Sequence, residues 1–106
     1  MTTNEILEGS IELVKGEWTQ NALARMPNGG PVSPLRPEAC SFCIEGAMLK
    51  TMGGYEEEFE SKEYDWVVNK LEELYSDSIE GWNDTPRRTR DEVLSSLESV
   101  LNVSKS

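Results

Sequence analysis

Apolar residues recur at helical spacing in four stretches of the chain, and each stretch predicts one amphipathic helix. The first begins at residues 2–5 (Thr-x-x-Glu), a capping-box pattern, and is expected to end at Gly16. The last begins at a second capping box, residues 89–92 (Thr-Arg-Asp-Glu), with two acids in the first turn, where the helix dipole favours them. The predicted inward-facing residues are Leu7, Ile11, Val14 and Trp18 in the first helix and Val93, Leu94, Leu97, Val100 and Leu101 in the last.

Two more helices are predicted in the middle of the chain. Pro37 suits the first turn of one helix, and the pair Gly53-Gly54 is expected to end it. A longer helix is predicted from about Glu56 to Ser76. The predicted inward-facing residues are Ala39, Cys40, Cys43, Ile44, Ala47 and Met48 in the former and Phe59, Trp66, Val67, Leu71, Leu74 and Tyr75 in the latter.

The stretch between the first two helices, residues 18–36, predicts a small β-hairpin or an ordered loop. It contains three prolines and an Asn28-Gly29-Gly30 turn, and Asn-Gly favours the positive φ of tight hairpins. Leu23 and Val32 would then lie on two short flanking strands. The expected fold is mainly α, a compact four-helix domain over residues 1–106 with this hairpin, and residues 102–106 form a frayed tail.

Charge and length narrow the classes of partner. The chain has 106 residues and a formal net charge of −10 at pH 7, which disfavours direct binding of nucleic acid. No apolar run is long enough to cross a membrane, and residues 1–4 lack the basic start of a secretory signal, so we expect a cytoplasmic protein that does not bind membranes. A homodimer stays open, because a chain of this size has little core of its own.

The negative charge is concentrated in one region. Residues 56–80 contain ten acids against Lys62 and Lys70, a local net charge of −8. One interpretation is a solvated helix face that keeps the protein soluble. The other is a surface that occupies the basic groove of a partner, and on it we predict a non-enzymatic protein that binds or inhibits a host component. The candidate partner-binding residues are Glu56, Glu57, Glu58, Glu60, Glu63 and Asp65.

Catalytic and metal chemistry find little support in the sequence. With no histidine and two cysteines, the chain cannot supply the common zinc ligand sets or a His-based triad. Cys40-x-x-Cys43 is predicted to be a pair of small core residues, because no strand pattern precedes it as in redox CxxC motifs. We expect no enzyme, cofactor or metal site; a hydrolase that uses Asp84 or Glu92 is the least favoured alternative.

The segment from Ser78 to Thr89 is the candidate site for a small ligand. It combines a tryptophan, an amide, a carboxylate and arginines just before a predicted helix N-terminus, where backbone N–H groups attract anions. A nucleotide or similar anion could bind there, or the same residues could serve turns, caps and core packing. The candidate ligand-binding residues are Trp82, Asn83, Asp84, Arg87, Arg88 and Thr89.

Three sequence motifs resemble those of a known family: residues 16–25 (GEWTQNALAR), residues 39–47, which contain Phe42-Cys43 and Gly46-Ala47, and residues 82–89 (WNDTPRRT). They resemble a small domain-of-unknown-function family of bacteria and their phages, whose typical motifs are "GWTQGAxARD", "WCxxGA" and "WNDxxxRTxxEV". The chain differs from those motifs at Asn21, Met26 and Phe42, where the family has Gly, Asp and Trp. The resemblance implies a helical domain with a small hairpin and a phage or prophage origin, and it implies no activity.

Overall fold

The computed structural model describes residues 1–54 and 62–106. In this part of the chain, five helices surround one core, and three two-residue strands form a sheet beside them. The helices are α1 (Thr3–Gly16), α2 (Ile44–Met52), α3 (Lys62–Tyr75), α4 (Ile79–Asn83) and α5 (Arg90–Lys105). The strands are β1 (Ala24–Arg25), β2 (Pro31–Val32) and β3 (Ser41–Phe42).

Helix α1 lies at the centre of the fold, where it contacts α5, α2 and α3. Its predicted capping box is confirmed: the Thr2 hydroxyl accepts a hydrogen bond from the Glu5 amide, and the Glu5 carboxylate accepts one from the Thr2 amide. The capping box that begins α5, formed by Thr89 and Glu92, is confirmed in the same way. The fully buried core residues include Ile6, Leu7, Val14, Ile44, Met48, Val67, Leu71, Val93 and Leu97.

The predicted hairpin is present, and the structure adds a third strand to it. Strand β1 pairs with β2 on one side and with β3 on the other, both antiparallel. The turn between β1 and β2 has Gly29 at a φ of 88°, as the Asn-Gly pattern predicts. Helix α1 ends at Gly16 as predicted. Trp18, which was predicted to end the inward-facing stripe of this helix, lies after it and forms a bridge with Phe42 of β3 while packing against the core.

The prediction for the second helix was wrong at its start and right at its end. Residues 41–42 form β3, so α2 begins at Ile44, and Ala39 and Cys40 lie outside the helix. Ser41 and Phe42 are paired with β1, so the backbone N–H and C=O groups of this segment are not available for the hydrogen bonds of a longer helix. Gly53 ends α2 with a φ of 79°, the left-handed conformation that glycine adopts readily.

The third predicted helix is described from Lys62 onward as α3. Phe59 and the candidate residues Glu56, Glu57, Glu58 and Glu60 lie outside the described residues. Val67 and Leu71 face the core as predicted, but Leu74 is 54% exposed, so its predicted inward position was wrong.

Two features near the C-terminus differ from the four-helix prediction. The segment from Ser78 to Asn83 forms an additional short helix, α4, because the Ser78 hydroxyl accepts a hydrogen bond from the Gly81 amide as an N-cap. Helix α5 continues to Lys105 through the predicted tail, and the hydroxyl of Ser104 is hydrogen-bonded to the side chains of Thr3 and Asn4. Among the described helices, none is both long and apolar enough to cross a membrane.

Candidate functional site

Trp82 is enclosed on both faces of its indole ring. The ring of Tyr75 is stacked on it, with centroids 3.9 Å apart and an angle of 4° between the planes. The guanidinium carbon of Arg88 lies 3.9 Å from the centroid of the Trp82 ring. Two groups this close to one ring must lie on opposite faces, because on the same face they would overlap. Both faces on which a planar ligand could stack are therefore occupied by the protein itself.

Arg88 and Thr89 make contacts within the fold as well. The Nε of Arg88 donates to the Trp82 carbonyl at 3.0 Å, and its Nη1 lies 3.3 Å from a carboxylate oxygen of Glu92. Thr89 is the N-cap of α5, and the hydrogen bond that its backbone amide donates to the Glu92 carboxylate lowers the pKa of Glu92. Arg87 differs from these residues: it is exposed and has a φ of 71° in the turn before α5.

Asn83 is 1% exposed and uses every hydrogen-bonding position of its side-chain amide. Its Oδ1 accepts from the Trp18 indole Nε1 at 2.9 Å and from the Ile44 amide at 3.1 Å. Its Nδ2 donates to the Thr19 carbonyl at 3.2 Å and to Oδ1 of Asp84 at 2.9 Å. One side chain thus connects the segment after α1, the start of α2 and the end of α4.

The loop after α1 adds further hydrogen bonds to the same segment. Nε2 of Gln20 donates to the carbonyls of Asn83 and Thr85, both at 2.9 Å. The backbone amide of Asn21, a residue with a φ of 64°, donates to Asp84 at 2.8 Å. Residues 18–21 and residues 82–85 are therefore hydrogen-bonded to each other as one unit, which contains Asn83 and Asp84 of the candidate ligand site.

A cavity of about 340 Å³ lies beside this unit, where residues 21–23, the start of α2 and the α4 segment meet. Three carboxylates line it, those of Glu45, Glu80 and Asp84, together with the apolar side chains of Leu23 and Ile79. An anionic ligand there would face three like charges, so the cavity suits a neutral or cationic group better than a phosphate. Within residues 1–54 and 62–106, no cluster of side chains could hold a metal ion.

The two cysteines differ from each other in the structure, and both are free thiols. Cys43 is buried as predicted, but it follows strand β3 and is the N-cap of α2, with its Sγ accepting from the Gly46 amide at 3.3 Å. The expectation that no strand precedes it was therefore wrong. Burial raises the pKa of Cys43 to about 11, which keeps it a protonated and unreactive thiol near neutral pH. Cys40 is half-buried and lies outside α2.

We expect alkaline pH to destabilise the fold through two acidic groups, the buried Cys43 thiol and the half-buried Tyr75 phenol. Burial raises the pKa of Cys43 from 9.0 to about 11 and that of Tyr75 from 10.0 to about 12. Because the folded state holds these protons more tightly, the stabilisation is complete below about pH 9 and is lost as the pH rises toward the folded-state pKa. For Cys43 the loss is on the order of 1 kcal/mol at about pH 10. Urea unfolding between about pH 8 and 10, in a buffer that contains a reductant, measures this loss in the free energy of unfolding.

Cys43→Ser is the matched variant for this prediction, because the serine hydroxyl supplies an N-cap acceptor in place of the Cys43 sulfur and does not titrate in this range. Its free energy of unfolding should fall less steeply with pH than that of the wild type. An equal slope in both proteins would show that the Cys43 thiol is not the group responsible.

The acidic candidates that the structure describes lie on the surface of α3. Glu63 and Asp65 are exposed in its first turn. Among the described residues, the ion pair on α3 joins Lys70 to Glu73 at 3.5 Å, and it includes neither of them. These two carboxylates therefore present their charge to solvent.

Sequence reasoning did not assign roles to Gln20, Arg25 or Gly46. Arg25 donates to the Thr19 hydroxyl and to the Gln20 carbonyl, which holds the loop in the shape that reaches Asn83. Gly46 lies directly under the backbone of Leu23. All three residues lie within the sequence motifs that resemble the family. Those motifs were the one sequence signal that could have pointed to a role for them.

These features define a class of structure: a small, mainly helical domain whose first interhelical loop is hydrogen-bonded to the segment before its last helix. The chain belongs to DUF6197, a family of unknown function whose model matches residues 1–102. No curated protein and no solved structure matches the chain.

Proposed function

We propose that this protein is a non-enzymatic binding protein that occupies a basic surface of a partner protein through the acidic surface of α3. The observation that supports the proposal is the exposure of Glu63 and Asp65 without a cation within ion-pair distance among the described residues. Exposed like charges attract a partner of opposite charge and accelerate its association. In sequence, four further glutamates precede α3: Glu56, Glu57, Glu58 and Glu60.

The resemblance to phage proteins adds an origin to the proposal. If the chain is encoded by a phage or prophage, its partner is a protein of the host cytoplasm, and occupying a basic surface would inhibit that protein. Interference with host defence is one role that fits a small acidic protein of this kind.

The alternative, a protein that sequesters a nucleotide or similar anion at Trp82–Thr89, has less geometric support. The side chains of Trp82, Asn83 and Arg88 are engaged within the fold, and Arg87 is the exposed cation of the segment. An anion would therefore depend mainly on Arg87, with Asp84 close by in sequence.

Charge reversal tests the proposal. Affinity capture from a lysate of the encoding cell would be carried out with the wild type and with the Glu63→Lys/Asp65→Lys variant. A Glu8→Lys/Glu98→Lys variant makes the same change in net charge at exposed positions of α1 and α5. The protein recovered with the wild type would then be purified and its affinity measured at about 0.05 M and about 0.3 M salt.

We expect a basic protein that the α3 variant binds at least about tenfold more weakly, with an affinity that falls as the salt concentration rises. The α1/α5 variant should bind nearly as well as the wild type. The proposal would be contradicted by a partner that binds the wild type and both variants equally, or by one whose affinity does not change with the salt concentration. A bound nucleotide that is lost on Arg87→Ala substitution would favour the alternative instead.

A further inference from the structure

A groove with an apolar floor lies between the end of α3, α4 and α5, and we call it the α3–α5 groove. It encloses about 620 Å³, the space of more than one large side chain. Leu74, Tyr75 and Trp82 form its apolar part, and Asp91, Ser95 and Ser99 line it from α5. It is separate from the cavity beside Asn83, which lies at the start of α2.

Leu74 is the unexpected residue in this groove. It continues the apolar stripe of α3 that includes Val67 and Leu71, and both of those are fully buried. Leu74 is instead 54% exposed, one residue before the helix ends. Together with the half-buried Tyr75 and Trp82 beside it, this leucine leaves an apolar surface open to water, which is a feature of protein interfaces.

The α5 side of the groove is lined by small residues. Asp91, Ser95 and Ser99 recur at every fourth position, so they form one ridge along the helix. All three are exposed, and the two serines are too short to cover Leu74 and Trp82. Larger apolar side chains at these positions would have filled the groove from within.

The charged residues that line the groove are both acids, Asp91 and Glu92 of α5. Two more exposed carboxylates lie close in sequence to Leu74: Glu73, which is paired with Lys70, and Asp77. Arg88 is paired with Glu92 and stacked on Trp82. A second copy of this chain would bring its own net charge of −10 against these acids, so charge disfavours self-association here.

We infer that the α3–α5 groove binds a bulky apolar side chain carried by a basic segment of the partner protein. This inference rests on the proposed function and adds to it an apolar contact that slows the dissociation of the complex. Exposed charges mainly set the rate of association, whereas affinity comes from a few desolvated anchors in pockets. Positive residues on either side of the anchor would contact the acids that line the groove and α3.

Two peptides of about 12 residues test the inference. Both are rich in Lys and Arg and have the same charge, and one carries a central Leu where the other carries Ala. Each is titrated by calorimetry into the wild type, into Leu74→Ser and into the control Leu35→Ser, which changes a similarly exposed leucine, 47% exposed, outside the groove. Because both substituted leucines are exposed, the variants are expected to fold, and circular dichroism checks this.

The wild type should bind the Leu peptide roughly tenfold more tightly than the Ala peptide. That ratio should fall to near one in Leu74→Ser and persist in Leu35→Ser. Amide chemical shifts of Ser95, Ser99 and the Trp82 indole should move with the Leu peptide.

The remaining outcomes separate the inference from the function on which it rests. Equal, salt-sensitive binding of both peptides would overturn the inference and leave the proposed binding through the acidic surface of α3 standing. No binding of either peptide at about 0.05 M salt would overturn both. A concentration-dependent dimer that Leu74→Ser abolishes would assign the groove to a second copy and overturn the inference.

Discussion

Replacing Asn83 with alanine should lower the free energy of unfolding by about 4 kcal/mol, because it leaves several buried polar groups without partners. The Trp18 indole N–H, the Ile44 amide and the Thr19 carbonyl all lose a hydrogen bond that Asn83 now provides. The first turn of α2 would lose the hydrogen bond of Ile44 to α4, whereas the loop after α1 would keep the hydrogen bonds of Gln20 and Asn21 to residues 83–85. Urea unfolding monitored by tryptophan fluorescence measures the change.

Asn69→Ala is the matched control for this prediction. Asn69 is exposed on α3, so its replacement should change the free energy of unfolding by less than about 0.5 kcal/mol. A second readout is specific to the network: the Trp18 indole N–H resonance should shift in the Asn83 variant. A loss below about 1 kcal/mol with an unshifted resonance would show that other groups satisfy the network.

The second large effect is expected at Gly46, where alanine should destabilise the fold by about 3 kcal/mol or more. A Cβ placed there would lie 1.8 Å from the Leu23 carbonyl oxygen and 2.7 Å from its carbon. Both atoms are backbone, so no side-chain rotation can relieve the overlap. The same Leu23 carbonyl accepts a hydrogen bond from the Cys43 amide at 3.1 Å, and moving it would separate the sheet from α2.

Gly16→Ala provides the comparison, because a Cβ at that position would meet no atom within 4 Å apart from its chain neighbours and the backbone of its own helix. Since alanine is the better helix former, this substitution should be neutral or stabilising by up to about 1 kcal/mol. Thermal unfolding of the two variants side by side gives the difference. If Gly46→Ala were as stable as Gly16→Ala, the close approach of Leu23 to α2 would be incorrect.

The local signals in the sequence predicted the parts of the fold that depend on neighbouring residues. Thr2 and Thr89 begin their helices because the capping partner lies three residues away in each case. Gly53 ends α2, and the turn at Gly29 forms the hairpin, through backbone conformations that the local sequence sets. Helical periodicity also identified Val67, Leu71, Val93 and Leu97 as core residues.

The parts that the sequence did not predict depend on contacts between distant segments. Residues 41–42 lie inside the second predicted helix, and they form β3 because β1 offers them backbone hydrogen bonds. For Trp82 the sequence left ligand binding and core packing open, because it does not indicate that Tyr75 stacks on the indole ring.

The sequence by itself determined where this protein's main helices are capped, that its fold is mainly helical with one hairpin, and that its charge is strongly negative. Only the tertiary structure decided that Asn83 is a buried connector and that Leu74 is left in the open α3–α5 groove. The physical reason is the distance along the sequence between hydrogen-bonding partners. The polar groups of a cap or a turn find their partners within four residues. A buried amide instead needs partners 39 to 65 residues away, as Asn83 has in Ile44, Thr19 and Trp18.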